Sequence, residues 1–207
     1  MLHGVLEGLD GAETDETTER LLEAALRQFE DFGLRRTTME DVARRMGVSR
    51  VTIYRRIPGK DALIEAVVLR EIRRFFAQLD EAIAAYDTLD DRLVEGFAFS
   101  LGYLRSHALF NRLLATEPDT FLPLLTTRGA PVVAAIRRLL GERLGHEVEE
   151  GRLPPHDVEI AGELLARLVL SFHLAPDTAA NLDDLDDARE FARRYVAPGL
   201  RGAAQGA

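Results

Sequence analysis

The sequence predicts an all-α protein in which three short N-terminal helices are joined by a long helix to a helical C-terminal domain. Two observations predict this fold class. Apolar residues recur every three or four positions through most of the chain, as on the buried face of an amphipathic helix. Thr, Ser, Gly and Pro residues stand where such helices would begin or end. With 207 residues, the chain can hold one large core or a small domain fused to a larger one.

The first helix follows an acidic, glycine-containing stretch over residues 1–16, which is predicted to be a mobile arm. Thr17 or Thr18 can cap this helix. Gly33 is predicted to stop it, because glycine readily adopts the backbone conformation found after a helix end. The apolar positions of the helix recur at helical spacing: Leu21, Leu22, Ala25, Leu26 and Phe29.

The second helix is predicted to start at Thr37-Thr38, where Asp41 stands three residues after Thr38 as in a capping box. Its buried stripe is expected to comprise Met39, Val42, Ala43 and Met46. Gly47 ends this helix after about two and a half turns. Together with the helix that follows, it predicts a helix-turn-helix, in which glycine permits a steep crossing of the two helices.

The third helix is capped by Ser49 and runs to Arg55 or Arg56, before Pro58 and Gly59 break the chain. One long helix is then predicted over 61–85. The helices expected after it span 91–105, 107–115, 131–144, 155–174 and 184–196, with a short or broken helix between 117 and 128. Gly141 and Gly145 are interpreted as marking a helix end.

The charge is unevenly distributed along the chain, whose formal net charge is −9. Between Gly33 and Lys60 there are eight basic residues against two acidic ones, so this window carries +6 and the rest of the chain −15. A basic patch on an acidic body can bind phosphates, although the alternative is a solvated helix face. Lys60 is the only lysine of the chain.

The third helix has the residue types that read DNA in the major groove. Arg50 or Arg55 can bond a guanine edge with two hydrogen bonds, or instead clamp a phosphate. Thr52 and Val51 can contact a thymine methyl group. Phosphate contacts are expected from Thr38 and Lys60, which stand where helices begin and free amides favour an anion, and from the hydroxyl of Tyr54. The full predicted DNA-binding set is Thr38, Ser49, Arg50, Val51, Thr52, Tyr54, Arg55 and Lys60.

These positions resemble the DNA-binding domain of the TetR/AcrR family of bacterial regulators. The shared pattern is Ala25, Phe29, Gly33, Thr38, Val42-Ala43, Gly47-Val48-Ser49, Thr52-Ile53-Tyr54, Lys60 and Leu63. The resemblance covers roughly 50 residues and implies that Tyr54 and Lys60 contact the DNA backbone. Alternatively, Tyr54 is a core aromatic residue and Lys60 a solvated charge. One departure is Ile57, where the family usually has an aromatic residue; an apolar side chain is expected to pack there as well.

The C-terminal domain contains two helices that are expected to form a dimer contact. The helix over 155–174 is apolar on more than one face, and the last helix carries a second apolar side. Two such helices from each of two subunits would make a four-helix bundle, as is general in the resembled family. The expected interface residues are Leu165, Leu168, Val169, Phe172, Phe191 and Tyr195, although both helices would also suit an ordinary core.

A group of aromatic and polar residues in the same domain can line a cavity for a small, largely apolar ligand. It comprises Phe97, Phe99, Leu101, Tyr103, Leu104, His107, Phe110 and Asn111. Each of them can instead be a plain core or surface residue. The predicted domains are accordingly the arm at 1–16, the helix-turn-helix domain at 17–60, the connecting helix at 61–85, and a ligand-binding and dimerisation domain at 86–207.

Several classes of protein are disfavoured by the composition. The chain contains no cysteine, and no apolar run approaches the roughly 20 residues that cross a bilayer. The N-terminus lacks the pattern of a secretory signal, so a cytoplasmic protein is expected. We expect no cofactor, no metal site among the histidines and no enzymatic activity, because no nucleophile–base pair or phosphate loop is visible.

The predicted function is that of a transcriptional regulator responding to a ligand. A homodimer would bind a palindromic operator in double-stranded DNA and release it when a small-molecule effector binds. The resemblance favours repression, with activation as an alternative. A ligand-independent DNA-binding or architectural protein with the same domain is the other alternative. The effector, the operator and the regulated genes do not follow from the sequence.

Overall fold

The computed structural model describes residues 16–153 and 158–202, which form α-helices and turns without any β-strand. The predicted all-α fold class is therefore confirmed. Except for Glu16, the arm predicted over residues 1–16 lies outside the described residues. The described elements are α1 (Glu16–Arg36), α2 (Met39–Met46), α3 (Arg50–Tyr54), α4 (Lys60–Ile83), α5 (Leu89–Ser106), α6 (Ala108–Thr116), α7 (Pro118–Leu125), α8 (Ala130–Glu149), α9 (Val158–Leu174), α10 (Leu185–Phe191), a π-helical turn (Ala192–Val196) and α11 (Ala197–Gly202).

These helices form two compact units. The first unit contains the described part of Met1–Glu71 together with Ala108–Val132, and the second contains Ile72–His107 together with the described part of Val133–Ala207. The long helix α4 thus contributes residues to both units, and α6 and α7 belong to the first. The domain boundaries stated above remain predictions.

The first unit is built around α1, which packs against α2 and α6. All five apolar residues predicted for its inner face are buried, from Leu21 to Phe29. At Gly33 the backbone leaves the helical conformation (φ 81°, ψ 172°), and a short helical stretch then ends at Arg36. The hydroxyl of Thr37 donates to the carbonyl of Gly33 at 2.8 Å, which closes this end of the helix.

The side chain of Arg70 ties α4 to α1 and is almost fully buried. Its guanidinium donates to Glu19 and Glu23 of α1, both at 2.8 Å, and to Glu71 at 3.3 Å. A buried arginine needs such partners, because an unpaired charge would lose its hydration. Two carboxylates of α1 therefore hold α4 against α1, and Glu71, the neighbour of Arg70 on α4, adds a third partner for its charge.

The helix-turn-helix has the predicted caps. Thr38 and Asp41 form a reciprocal capping box at the start of α2, and this prediction is confirmed. Gly47 ends α2 in the left-handed conformation (φ 72°), which glycine adopts without strain. Ser49 caps α3 through a hydrogen bond from the Thr52 amide. Ile57, the departure from the family pattern, is buried as expected.

The second unit is centred on α5, which packs against α9, α10, the π-helical turn and α11. Its core contains Val94, Phe97, Ala98, Leu101, Leu144, Ala161, Ala188 and Ala192. Arg143 of α8 binds Asp80 of α4 at 2.6 and 2.7 Å and lies over the ring of Phe76.

The interpretation of Gly141 and Gly145 as a helix end is wrong, because both lie inside α8. Gly162 of α9 faces the same helix: a Cβ atom there would lie 2.9 Å from the Cβ of Leu140 and 3.2 Å from the Gly141 nitrogen. Glycine therefore allows close approach of the α8 and α9 backbones.

In the described part of the chain, no helix is long and apolar enough to cross a membrane.

Candidate nucleic-acid interface

The helix α3 combines one buried anchor with an exposed face. Ile53 is completely buried, whereas Val51 is 77% exposed and Tyr54 39% exposed. Arg50 and Arg55 are exposed as well, and Thr52 is half-buried. Of the apolar residues on this helix, Ile53 therefore packs inside, while Val51 and Tyr54 remain available for an external contact.

The hydroxyl groups at the start of α3 bind each other. Ser49 Oγ and Thr52 Oγ1 are 2.9 Å apart, and the Thr52 amide donates to Ser49 Oγ at 3.2 Å. The serine hydroxyl thereby satisfies an amide that the first turn of a helix leaves without a partner. Because the Thr52 hydroxyl is bound to Ser49, the methyl group is the part of the Thr52 side chain that is left for an external contact.

Arg50 and Tyr54 form a pair one turn apart on α3. The guanidinium donates to the tyrosine hydroxyl oxygen at 3.2 Å, and its central carbon lies 5.0 Å from the ring centroid. Because a hydroxyl is both acceptor and donor, Tyr54 can still donate its own hydrogen to a phosphate. The cation–π contact restricts the rotamers of Arg50, which is otherwise a long exposed side chain.

The N-terminus of α2 is more occupied than the sequence suggested. The Thr38 hydroxyl donates to Asp41 Oδ2 at 2.6 Å, and the Thr38 amide donates to the same oxygen at 3.0 Å. The hydrogen bond from the Thr38 hydroxyl is the main cause that lowers the pKa of the Asp41 carboxyl, followed by the bond from the Thr38 amide. A phosphate at this helix end would therefore meet a carboxylate that already holds both Thr38 donors.

Lys60, the first residue of α4, directs its amine to the end of α1. Its Nζ donates to the backbone carbonyl of Arg35 at 3.2 Å. An ammonium group has three hydrogens, so this bond leaves others for a phosphate. Arg35 itself was not among the predicted site residues, since the residues it contacts are far away in the sequence.

Arg44 and Arg45 of the basic window pair with acidic side chains inside the first unit. Arg45 donates to Gln28 Oε1 at 2.7 Å and also binds Asp31, and so joins α2 to α1. Arg44 pairs with Asp41 at 3.3 Å. The positive charge left for an external anion is therefore smaller than the count of +6 suggests.

The predicted ligand-contact residues fall into three groups. Phe97 and Leu101 are buried in the core of the second unit, where the Phe97 ring lies 5.8 Å from that of Phe191. Phe99, Tyr103, Leu104 and His107 are half-buried in the same unit. Phe110 and Asn111 lie on α6 in the first unit. The ligand role of all eight residues stays a prediction.

A half-buried cluster of rings lies between α4 and α5. The Tyr103 ring is 5.1 Å from Phe75, 5.8 Å from Phe99 and 5.6 Å from His107, measured between centroids. Phe75 was missed by sequence reasoning, because it belongs to the helix interpreted only as a connector. We call Phe75, Phe99, Tyr103 and His107 the ring cluster.

The predicted dimer residues lie at the edge of the core of the second unit. Five of them are partly buried against that core, and the sixth, Tyr195, is 58% exposed. On α9, Ile160 and Leu164 are 57% and 58% exposed and stand one turn apart. These two residues were not among the expected contacts. The five are Leu165, Leu168, Val169, Phe172 and Phe191.

In the part of the chain that the structure describes, no group of three or more histidines or carboxylates could hold a metal ion.

Comparison with known proteins identifies the family. The family model described as bacterial regulatory proteins of the tetR family matches residues 21–67, and that for the C-terminal domain of the bacterial tetracyclin repressor matches residues 89–193. The HTH-type transcriptional regulator UidR of Escherichia coli (strain K12) is 28% identical over 199 residues, covering 91% of each chain.

Solved structures share the fold along nearly the whole chain. The TetR family repressor AlkX from Dietzia sp. superposes with a TM-score of 0.71 at 24% identity, covering 94% of this chain and all of AlkX. RolR in complex with resorcinol gives a TM-score of 0.63 at 16% identity, covering 94% of this chain and 96% of RolR. Because the C-terminal family model alone matches half of the chain, this protein belongs to the TetR family of bacterial transcriptional regulators and is a DNA-binding regulator.

Proposed function

We propose that this regulator is a repressor that binds a palindromic operator as a homodimer and releases it when a small, largely apolar molecule binds. The observation that carries the proposal is that α3 has one buried side and one exposed side. A buried Ile53 anchors the helix, while Arg50, Val51 and Tyr54 are exposed on it. Such a helix can enter the major groove without losing its own packing.

The exposed residues support direct reading of bases. Arg50 and Arg55 have the donor geometry for a guanine edge, and Val51 and the Thr52 methyl group can contact thymine. Tyr54, Ser49, Thr38 and Lys60 are proposed to contact phosphates. For Thr38, this contact requires the phosphate to compete with Asp41 for the threonine hydroxyl and amide.

Dimerisation is supported by apolar side chains left exposed in the second unit. Ile160 and Leu164 present an apolar stripe on α9, and Tyr195 adds an aromatic ring. Burying a large apolar side chain in a subunit contact contributes about 1.5–3 kcal/mol. A palindromic operator needs two recognition helices about one turn of DNA apart, which one copy of the chain does not supply.

The proposed effector follows from the ring cluster. Four rings in tilted or edge-on contact, among them a phenol and an imidazole, suit a flat or apolar molecule that has a few polar groups. RolR, which shares this fold, was solved with resorcinol, and at 16% identity that likeness concerns the fold alone. The rings of this chain are therefore the support for the proposed effector class.

The test is a fluorescence anisotropy titration of labelled DNA from upstream of the chain's own gene, with random DNA as control, at several salt concentrations. We expect two subunits per site and a specific affinity at least about a thousandfold above that for random DNA. The slope with salt should correspond to several phosphate contacts. Equal, weak binding to both DNAs would leave an operator elsewhere in the genome as one explanation, so sequences are then selected from a random DNA pool. If no selected sequence binds more tightly than random DNA, the proposal is contradicted.

The same assay then tests ligand control. Aromatic and aliphatic small molecules are added to the preformed complex, and release of DNA by one class identifies the effector type. Because the coupling must be reciprocal, that molecule should also bind less tightly when operator DNA is present. A chain that binds DNA but responds to none of these molecules would favour the ligand-independent alternative, and tighter binding with ligand would favour an activator.

A further inference from the structure

We propose that Glu117 is a positioning residue for DNA binding: its carboxylate fixes the end of α1, and through that end it places the amine of Lys60. The inference rests on the proposed function, since the position of Lys60 matters for DNA only if its amine contacts a phosphate. Glu117 precedes α7 and is only 8% exposed. It lies 82 positions after Arg35 in the sequence.

The carboxylate of Glu117 holds the end of α1 in two ways. Its Oε2 accepts the backbone N–H of Arg35 at 2.9 Å. Its Oε1 lies where a side chain at residue 33 would be, because a Cβ atom built on Gly33 would come within 1.9 Å of that oxygen. The glycine and the glutamate therefore fit each other, and the positive φ of Gly33 turns the chain so that the Arg35 amide meets the carboxylate.

Two further contacts join α6 and α7 to the same end of α1. Thr120 Oγ1 accepts a hydrogen bond from Arg35 Nε at 2.9 Å. The guanidinium of Arg112 donates to the carbonyl of Asp31 at 3.0 Å. The last turn of α1 is thus bound by three side chains from one short segment, of which only Glu117 is buried.

Arg35 connects this segment to the lysine. Its N–H is bound by Glu117, and its carbonyl accepts the hydrogen bond from Lys60. Both groups belong to the backbone of one residue, so a shift of Arg35 moves the acceptor that orients the ammonium. A lysine held by one bond loses less side-chain entropy when it binds a phosphate than a freely rotating one.

The other end of the same segment carries residues predicted to contact the effector. Phe110 of α6 packs edge-to-face on Phe121 of α7, with the ring centroids 5.0 Å apart. A molecule that displaces Phe110 would therefore press on the helix that Glu117 precedes. Contiguity alone does not establish coupling, so the link must be measured.

The experiment uses the lysine as a probe, because Lys60 is the only one in the chain. Reductive methylation with ¹³C-formaldehyde labels Lys60 and the N-terminal amine, whose NMR signals are distinguishable. The full-length native chain is compared with Glu117→Ala, Glu117→Gln and Glu142→Ala. The last variant removes a 57% exposed carboxylate in the second unit and is matched in charge. DNA affinity is measured on unlabelled protein.

We expect Glu117→Ala to move the Lys60 methyl signal and to weaken specific DNA binding on the order of tenfold. Glu117→Gln keeps an oxygen acceptor of the same reach for the Arg35 amide, so it should restore both readouts. Glu142→Ala should resemble the native chain in both. Circular dichroism melting checks folding, and Glu117→Asp replaces the alanine variant if that one fails to fold.

The outcomes separate this inference from the proposed function. A folded Glu117→Ala variant with unchanged Lys60 signal and unchanged DNA affinity would show that Glu117 positions nothing. A moved signal with native DNA affinity would likewise overturn the role in DNA binding. If the native chain binds no specific DNA, the proposed function fails, while the Lys60 signal still decides whether the contact exists.

Discussion

Two helices of this molecule begin with the same four-residue cap, Thr38–Asp41 at α2 and Thr88–Asp91 at α5. In each, the threonine hydroxyl donates to the aspartate at 2.6 Å and accepts the aspartate amide. The helix α2 packs against α3, which carries Arg50, whereas α5 forms the centre of the second unit. The shared cap explains where both helices start, but it does not distinguish a helix near proposed phosphate contacts from a core helix.

The two units differ in the kind of side chain to which a function is proposed. In the first unit, exposed side chains on α3 carry the proposed function, and their placement follows from caps and a glycine. In the second unit, the proposed functions belong to apolar side chains, which look alike whether they form core, ligand contacts or a subunit interface. Four substitutions test this contrast.

The largest effect is expected inside the second unit, from Phe97→Ala. Phe97 is buried in the core, so its truncation should lower the free energy of unfolding by about 4 kcal/mol. Tyr103→Ala on the same helix removes a half-buried ring and should cost about 1–2 kcal/mol. Urea unfolding followed by circular dichroism measures both. Equal losses of unfolding free energy would mean that stability does not distinguish a core residue from a residue of the ring cluster.

In the first unit, a loss of stability is expected when Gly33 is replaced, because Glu117, which is distant in the sequence, lies against it. Gly33→Ala combines a backbone conformation that is open essentially to glycine alone (φ 81°, ψ 172°) with a collision against Glu117, and should lower the unfolding free energy by about 3 kcal/mol. Gly47→Ala is the control for positive φ in open space, since its backbone is left-handed helical (φ 72°, ψ 30°) and nothing lies within 4 Å of the new Cβ; about 1 kcal/mol is expected. If both variants lose the same stability, the close approach of Glu117 has no energetic weight.

The third substitution, Leu164→Asp, places a charge on the exposed apolar stripe of the second unit. We expect the dimer to weaken by at least about 2 kcal/mol, or roughly thirtyfold in its dissociation constant, because an unpaired carboxylate would be buried on association. Leu122→Asp alters an exposed leucine of the first unit and should leave self-association unchanged. Sedimentation equilibrium of both variants decides the matter. A dimer that survives Leu164→Asp would place the subunit contact elsewhere.

These contrasts also explain what the sequence could predict. Helix starts and stops at Thr38, Gly47 and Ser49 were predictable, because each signal acts within four residues. The same reasoning placed the start of α5 at residue 91, although Thr88 has the signal seen at Thr38. The helix predicted over 184–196 contains a π-helical turn that no local pattern announced.

Contacts between distant positions were not predictable. Glu117 binds Arg35, and Arg70 binds Glu19, across 82 and 51 positions, and no spacing rule relates such residues. Phe97 and Tyr103 of α5 were predicted from the sequence to belong to one group of ligand-contact residues. Only the neighbouring helices decide that Phe97 enters the core while Tyr103 joins the ring cluster.

The smallest effect is expected from neutralising the cap of α2, with Asp41→Asn. Hydrogen bonds from Thr38 lower the pKa of the Asp41 carboxyl in the folded chain. The ionised cap therefore contributes stability above the ordinary aspartate pKa of about 4, and this contribution is lost as the pH falls through the lower, folded value. The native chain should be slightly more stable than Asp41→Asn at neutral pH, and the difference should vanish in acid. Urea unfolding at a series of pH values measures it.

The same substitution should act in the opposite direction on DNA. A carboxylate beside a proposed phosphate contact repels the phosphate and occupies both donors of Thr38, so Asp41→Asn is expected to tighten operator binding roughly threefold at low salt. Asp91→Asn alters the equivalent cap of α5 and should leave DNA affinity unchanged. Anisotropy titrations at two salt concentrations measure the DNA affinity of both variants. They compare the same Thr–Asp cap at α2 and at α5. If both variants bind DNA like the native chain, Thr38 contacts no phosphate. The DNA backbone would then be held by the remaining proposed residues, without the N-terminal end of α2.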